Sequence, residues 1–161
     1  MKGHRTLALI AIAALAAAAC DDTGDTTGVQ NTCANLAGSF RATNFVVVGT
    51  SNTALNQNLL SNGATFTLTF NNGNFTSVFL PAAGGTSMSQ SGAVTTSGEN
   101  SITLGTQALF SGAATGTQAF NCILNGTTLL LMNPSTTFNF TGTGTTMSPA
   151  AITLTLTRNT T

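Results

Sequence analysis

The side chains able to do chemistry are few, and most sit near the start of the chain. The 161 residues hold one histidine, His4, and one lysine, Lys2. Three cysteines follow, at Cys20, Cys33 and Cys122, and the carboxylates are Asp21, Asp22, Asp25 and Glu99. Arg41 and Arg158 are the only cations beyond the first five residues. Should the apolar start of the chain be removed, no His or Lys remains. General acid/base work by histidine, a Schiff-base lysine and a phosphate-gripping lysine would then all be missing. The many serines lack a base to activate them. Glu99 stands in a Ser-Gly-Glu-Asn turn and reads as a solvated carboxylate, and Arg41 reads as a solvated cation. Asp21, Asp22 and Asp25 lie on a glycine-broken stretch with no neighbouring ligand, a poor cage for an oxygen-binding cation. Gly142-Thr143-Gly144 lacks the strand–helix setting of a nucleotide loop. These residues predict no catalysis, no cofactor and no metal. With so few cations, no nucleic-acid partner is expected.

Cys20 is the exception, because of what precedes it. Lys2, His4 and Arg5 form a basic start, and Leu7 to Ala19 is an apolar run too short to span a bilayer as a helix. The run ends Leu15-Ala16-Ala17-Ala18-Ala19-Cys20, which resembles the lipobox of bacterial lipoproteins. That resemblance implies cleavage before Cys20 and acylation of its sulfur and new amino group, giving a stable membrane anchor. It places the protein outside the cytoplasm, on the bacterial cell membrane or outer membrane. The alternative is an ordinary secretory signal cut after Ala19. Residues 20–32, with Asp21-Asp22-Thr23-Gly24, have the composition of a flexible tether. The expected organisation is a signal peptide over 1–19, a lipidated tether over 20–32 and one domain over 33–161.

The domain reads as antiparallel all-β. Only 5% of residues are charged, so polarity comes from Thr, Ser, Asn and Gly, and the abundant threonine favours strands over helices. Ala64, Phe66, Leu68 and Phe70 alternate with Thr65, Thr67 and Thr69, a period of two. Asn71-Asn72-Gly73-Asn74 supplies a tight reversal, and Phe75 and Phe79 continue the apolar face. Asn125-Gly126 marks a later hairpin. Ile152, Leu154, Leu156 and Arg158 alternate with Thr153, Thr155 and Thr157. Leu36 to Val48 reads as the first strand, and Ser51 to Asn62 as a short helix or a covering loop. Asn133-Pro134 reads as the end of one strand, with another at Thr136 to Thr141. Eight to ten short strands in succession favour a meander closing as an up-and-down barrel, which removes edges that so uncharged a sheet leaves unprotected. A β-sandwich is the alternative.

Several pieces together resemble the lipocalin-like domains of bacterial lipoproteins. They are Leu36-x-Gly38-x-Phe40, the Thr65–Thr76 hairpin, Ser91-Gly92-Ala93-Val94 before Ile102-Thr103-Leu104, Asn125-Gly126-Thr127-Thr128-Leu129, and Leu154-Thr155-Leu156-Thr157-Arg158. The resemblance implies a barrel of about eight strands, sometimes with a cavity for an apolar ligand, and no catalytic residues. It also implies that Arg158 lies across Phe40 at the closed end, in keeping with Arg158 sharing the parity of Leu154 and Leu156.

Two further expectations concern the domain interior. With Cys20 acylated, Cys33 and Cys122 remain in an exported chain and are expected to pair. The alternative is two thiols, Cys122 acting as a small buried hydrophobe. The candidate ligand-lining residues are Phe66, Leu68, Phe70, Phe75, Phe79, Phe138 and Phe140, which suit a small, uncharged, apolar ligand. Two functions follow. A cavity of about 300 Å³ or more between strand ends would fit a tethered carrier or sensor. A filled barrel would fit a structural or protein-interaction envelope protein.

Overall fold

A computed structural model describes residues 32–82, 85–105, 116–140 and 146–159. Residues 1–31, with Cys20 and nearly all of the expected tether, lie outside the described residues, as do 106–115. Nine strands form one sheet: β1 (Gly38–Gly49), β2 (Asn56–Asn58), β3 (Thr65–Asn71), β4 (Asn74–Leu80), β5 (Met88–Thr96), β6 (Ser101–Leu104), β7 (Gln118–Asn125), β8 (Thr128–Phe138) and β9 (Ser148–Arg158). From β3 to β9 each strand pairs antiparallel with the next, and β1 joins β3 on one edge and β9 on the other. The result is a closed eight-stranded up-and-down barrel, with β2 attached to the second half of β1 outside the ring. The sandwich alternative is excluded by this closure.

Alternation fixes which face is inside. In β3, Phe66, Leu68 and Phe70 are buried while Thr65, Thr67 and Thr69 face out. In β9, Ala150, Ile152, Leu154 and Leu156 are buried. β1 contributes Phe40, Ala42, Phe45 and Val47, its parity reset by an irregularity between Ala42 and Asn44. These side chains form one continuous apolar core. The reversals fall where the sequence supplies residues that accept positive φ, at Asn72 (49°), Gly73 (72°) and Gly126 (57°).

Two segments differ from the sequence-based reading. Of the two readings of Ser51 to Asn62 the helix is not seen: the segment is mostly irregular, with the three-residue β2 and a 3₁₀ turn, Ser61–Gly63, at its end. Asn58 competes for the backbone here: its Oδ1 accepts from Leu60 N at 3.0 Å, and its carbonyl accepts from Ser61 Oγ at 2.8 Å. Leu59 and Leu60 still reach the core, which accounts for their helix-like spacing. The second difference is Pro134, which does not end a strand. β8 continues through it by a shift of register between Asn133 and Thr136. A bulge tolerates a residue with no N–H, and Asn133 Oδ1 accepts from Ser135 N at 3.0 Å to hold it.

Candidate binding site at the base of the barrel

The base is the end where β1 begins and β9 finishes. The chain enters it through a 3₁₀ turn, Cys33–Asn35, laid across the strand ends. Cys33 and Cys122 form a disulfide with Cα atoms 6.2 Å apart, tying this turn to β7. Cys33 N donates to Glu99 O and Cys122 N to Asn100 O, both at 2.8 Å, so the β5–β6 turn is fastened to the same point. Arg158 pairs with Phe40 in the β1–β9 ladder. Its Cζ lies 4.7 Å from the Phe40 ring centroid, and its Nη1 donates to Ala37 O at 2.7 Å. The guanidinium thus seals the seam on an aromatic face while its stem stays on the core side. Gly38 makes this approach feasible. Its φ is 103°, and a Cβ there would lie 2.8 Å from Arg158 Nη1.

Between the entering segment and the strand ends lies a cleft of about 390 Å³. Leu36, Ala37, Phe70, Val94 and the buried disulfide at Cys33 give it an apolar floor, and Asn35, Asn72, Asn74 and Thr96 give it a polar rim. Asn74 Nδ2 donates to the Asn72 carbonyl at 3.1 Å, which stiffens the turn forming one wall. Val94 N donates to Gly73 O at 2.7 Å and joins that turn to β5. Among the described residues no ionisable side chain lines the cleft, since Cys33 is disulfide-bonded. Its described lining offers apolar contact and neutral hydrogen bonds.

The seven candidate lining residues divide into two groups. Phe66, Leu68, Phe70 and Phe75 are buried in the core. Phe66 meets Phe45 edge-on with ring centroids 5.2 Å apart, and Phe70 meets Phe40 at 6.0 Å. Of the seven, only Phe70 borders the basal cleft. Phe79, Phe138 and Phe140 stand toward the opposite end and are partly buried, with Phe138 and Phe140 edge-on at 5.1 Å. Sequence reasoning missed Leu36, Val94 and the Asn72–Asn74 turn as cleft walls. The turn was legible as a turn, but nothing local says that the chain's entry segment folds over it. Also unforeseen are inward polar groups on the walls: Ser77 and Asn133 are buried, and the Oε1 atoms of Gln90 and Gln118 are buried with no hydrogen-bond partner.

Compared with known proteins, the chain matches no family model, no curated protein and no solved structure. Its class therefore rests on the fold, an eight-stranded antiparallel barrel consistent with a lipocalin-like barrel.

Proposed function

We propose that this is an exported, lipid-anchored envelope protein of bacterial type that carries out no catalysis and binds a small, uncharged, apolar molecule. The observation that supports binding most is the basal cleft: about 390 Å³, with an apolar floor and, among the described residues, no ionisable side chain in its lining. An ionic ligand left unpaired there would cost several kcal/mol. Anchoring rests on Cys20, which ends the apolar leader. Labelling with a radioactive fatty acid should mark the wild type and leave Cys20→Ala unmarked; equal labelling of both would remove the anchor. For binding, melting temperature is measured across a panel of fatty acids, fatty alcohols, isoprenoids and sterols. The neutral members should raise it, and Val94→Phe, which occupies the cleft, should abolish the rise.

A second reading keeps the anchor and drops the ligand. The inner faces of the barrel pack as one contiguous core, which suits a structural or protein-interaction role. No shift with any compound in the panel, together with no lipid-like mass retained in native mass spectrometry, would favour it.

A further inference from the structure

The segments that build the basal cleft change polarity in the same direction. At the end of β3, Phe70 is buried, and Asn72 in the turn beyond it is exposed. On β5, Val94 is half-buried and Thr96 is exposed. These two share a face of the strand and stand about 7 Å apart along it. On the entry segment, Cys33 and Leu36 reach the core while Asn35 is exposed. Among the described residues the side chains of Asn35, Asn72 and Thr96 make no hydrogen bond. All of these residues line the one cleft, so it passes from an apolar floor to a rim of free, uncharged donors and acceptors.

We infer that the cleft receives a short single-chain amphiphile whose head is uncharged and carries hydroxyl groups, the chemistry of a monoacylglycerol, with its chain on the floor and its head at the rim. This rests on the binding reading proposed above and specifies the ligand. A cleft of about 390 Å³ lies toward the small end of small-molecule sites, which suits one short chain and not a two-chain lipid. A carboxamide both donates and accepts, as do the Thr96 hydroxyl and a ligand hydroxyl, so rim and head are complementary without charge. A carboxylate head can only accept, and it finds no cation in the described lining.

The supports of these polar groups are stiff. Asn35 belongs to the 3₁₀ turn that the Cys33–Cys122 disulfide and the bond from Cys33 N to Glu99 O hold on the base. The turn bearing Asn72 is braced by Asn74 Nδ2 on the Asn72 carbonyl and joined to β5 through Val94 N and Gly73 O. Thr96 ends β5 opposite the buried Ile102. Little backbone freedom is lost when a head group bonds to groups held in this way, so the hydrogen bonds count toward selection among heads.

The test uses the full mature chain carrying Cys20→Ser, so that no acyl group of its own competes. Isothermal titration calorimetry compares 1-octanoylglycerol, methyl octanoate and octanoate at neutral pH, each below its aggregation threshold. The glycerol ester should bind about ten-fold more tightly than the methyl ester, and octanoate no more tightly than the methyl ester. Thr96→Val and Asn35→Ala, both at exposed positions, should each weaken the glycerol ester about three-fold and leave the methyl ester unchanged. Val94→Phe should abolish binding of both esters; binding that survives it lies elsewhere and overturns the site. Equal affinity for the two esters, or an undiminished gap in the Thr96→Val, Asn35→Ala double variant, overturns the head assignment and leaves the apolar cleft standing. No binding by any of the three removes the binding reading and this inference with it.

Discussion

Strands β8, β9 and β1 run for 11, 11 and 12 residues, whereas β5 and β6 across the barrel run for 9 and 4. The long wall buries Phe40, Phe45, Leu129, Leu131, Leu154 and Leu156 completely. The short wall turns Met88, Gln90, Gly92 and Val94 inward from β5, and each is only partly buried. One wall therefore combines a continuous ladder with a dry, branched and aromatic inner face. The other has short ladders; its β6 still buries Ile102 and Leu104 completely, while β5 has a thinner inner face with, among the described residues, an unpartnered amide oxygen at Gln90. The core is thus anchored on the closing seam, and the cleft with Val94 in its floor opens where the packing is thinnest. In a chain with so little charge, the site of a cavity is decided by where large apolar side chains are absent.

The contrast can be broken most sharply at Phe45. Phe45→Ala removes a fully buried ring that packs on Phe66 and should cost about 4 kcal/mol in urea unfolding; a loss below about 1 kcal/mol would mean that the long wall is not the denser one. Next in size is the disulfide, the main cross-link of the lean side. Replacing Cys33 and Cys122 together should cost about 3 kcal/mol, and amide exchange should rise in β6 and β7 more than in β9. A smaller pair of effects separates satisfied from unsatisfied polar groups. Asn133→Leu forfeits the bond to Ser135 N and should cost about 2 kcal/mol, whereas Gln90→Leu removes an unpartnered buried oxygen and should gain about 1 kcal/mol. Equal signs for these two substitutions would erase the distinction.

The fold was largely legible because its information is local. Threonine alternating with Phe or Leu in β3 and with Ile or Leu in β9 identifies the inner face residue by residue, and Asn-Gly dipeptides mark the reversals. Pro134 misled because proline is a strand breaker only where its missing N–H is needed; at a bulge it is not. The Asn58 region left helix and loop open because leucines at helical spacing can also reach a core from an irregular segment. The site was much less legible. Arg158 over Phe40 followed from parity and from the lipocalin-like resemblance, yet the seat of its guanidinium on the Ala37 carbonyl depends on how the chain enters the base. The cleft likewise arises from the entry segment lying over a turn distant in sequence, a contact with no periodic signature.

The seam between β1 and β9 has a kinetic consequence. It joins Phe40 to Arg158 and Gly49 to Ala150, so the contacts that complete the ring are among those most distant along the chain. Hairpins β3–β4 and β7–β8 can form early from neighbouring residues, but closing the ring must wait until the whole meander is laid down. Until then β1 and β9 are open edges, and an edge studded with threonine and almost no charge invites pairing with another copy. Refolding should accordingly be slow and lose yield as protein concentration rises, with the last-formed strand pair protecting the finished barrel from that fate.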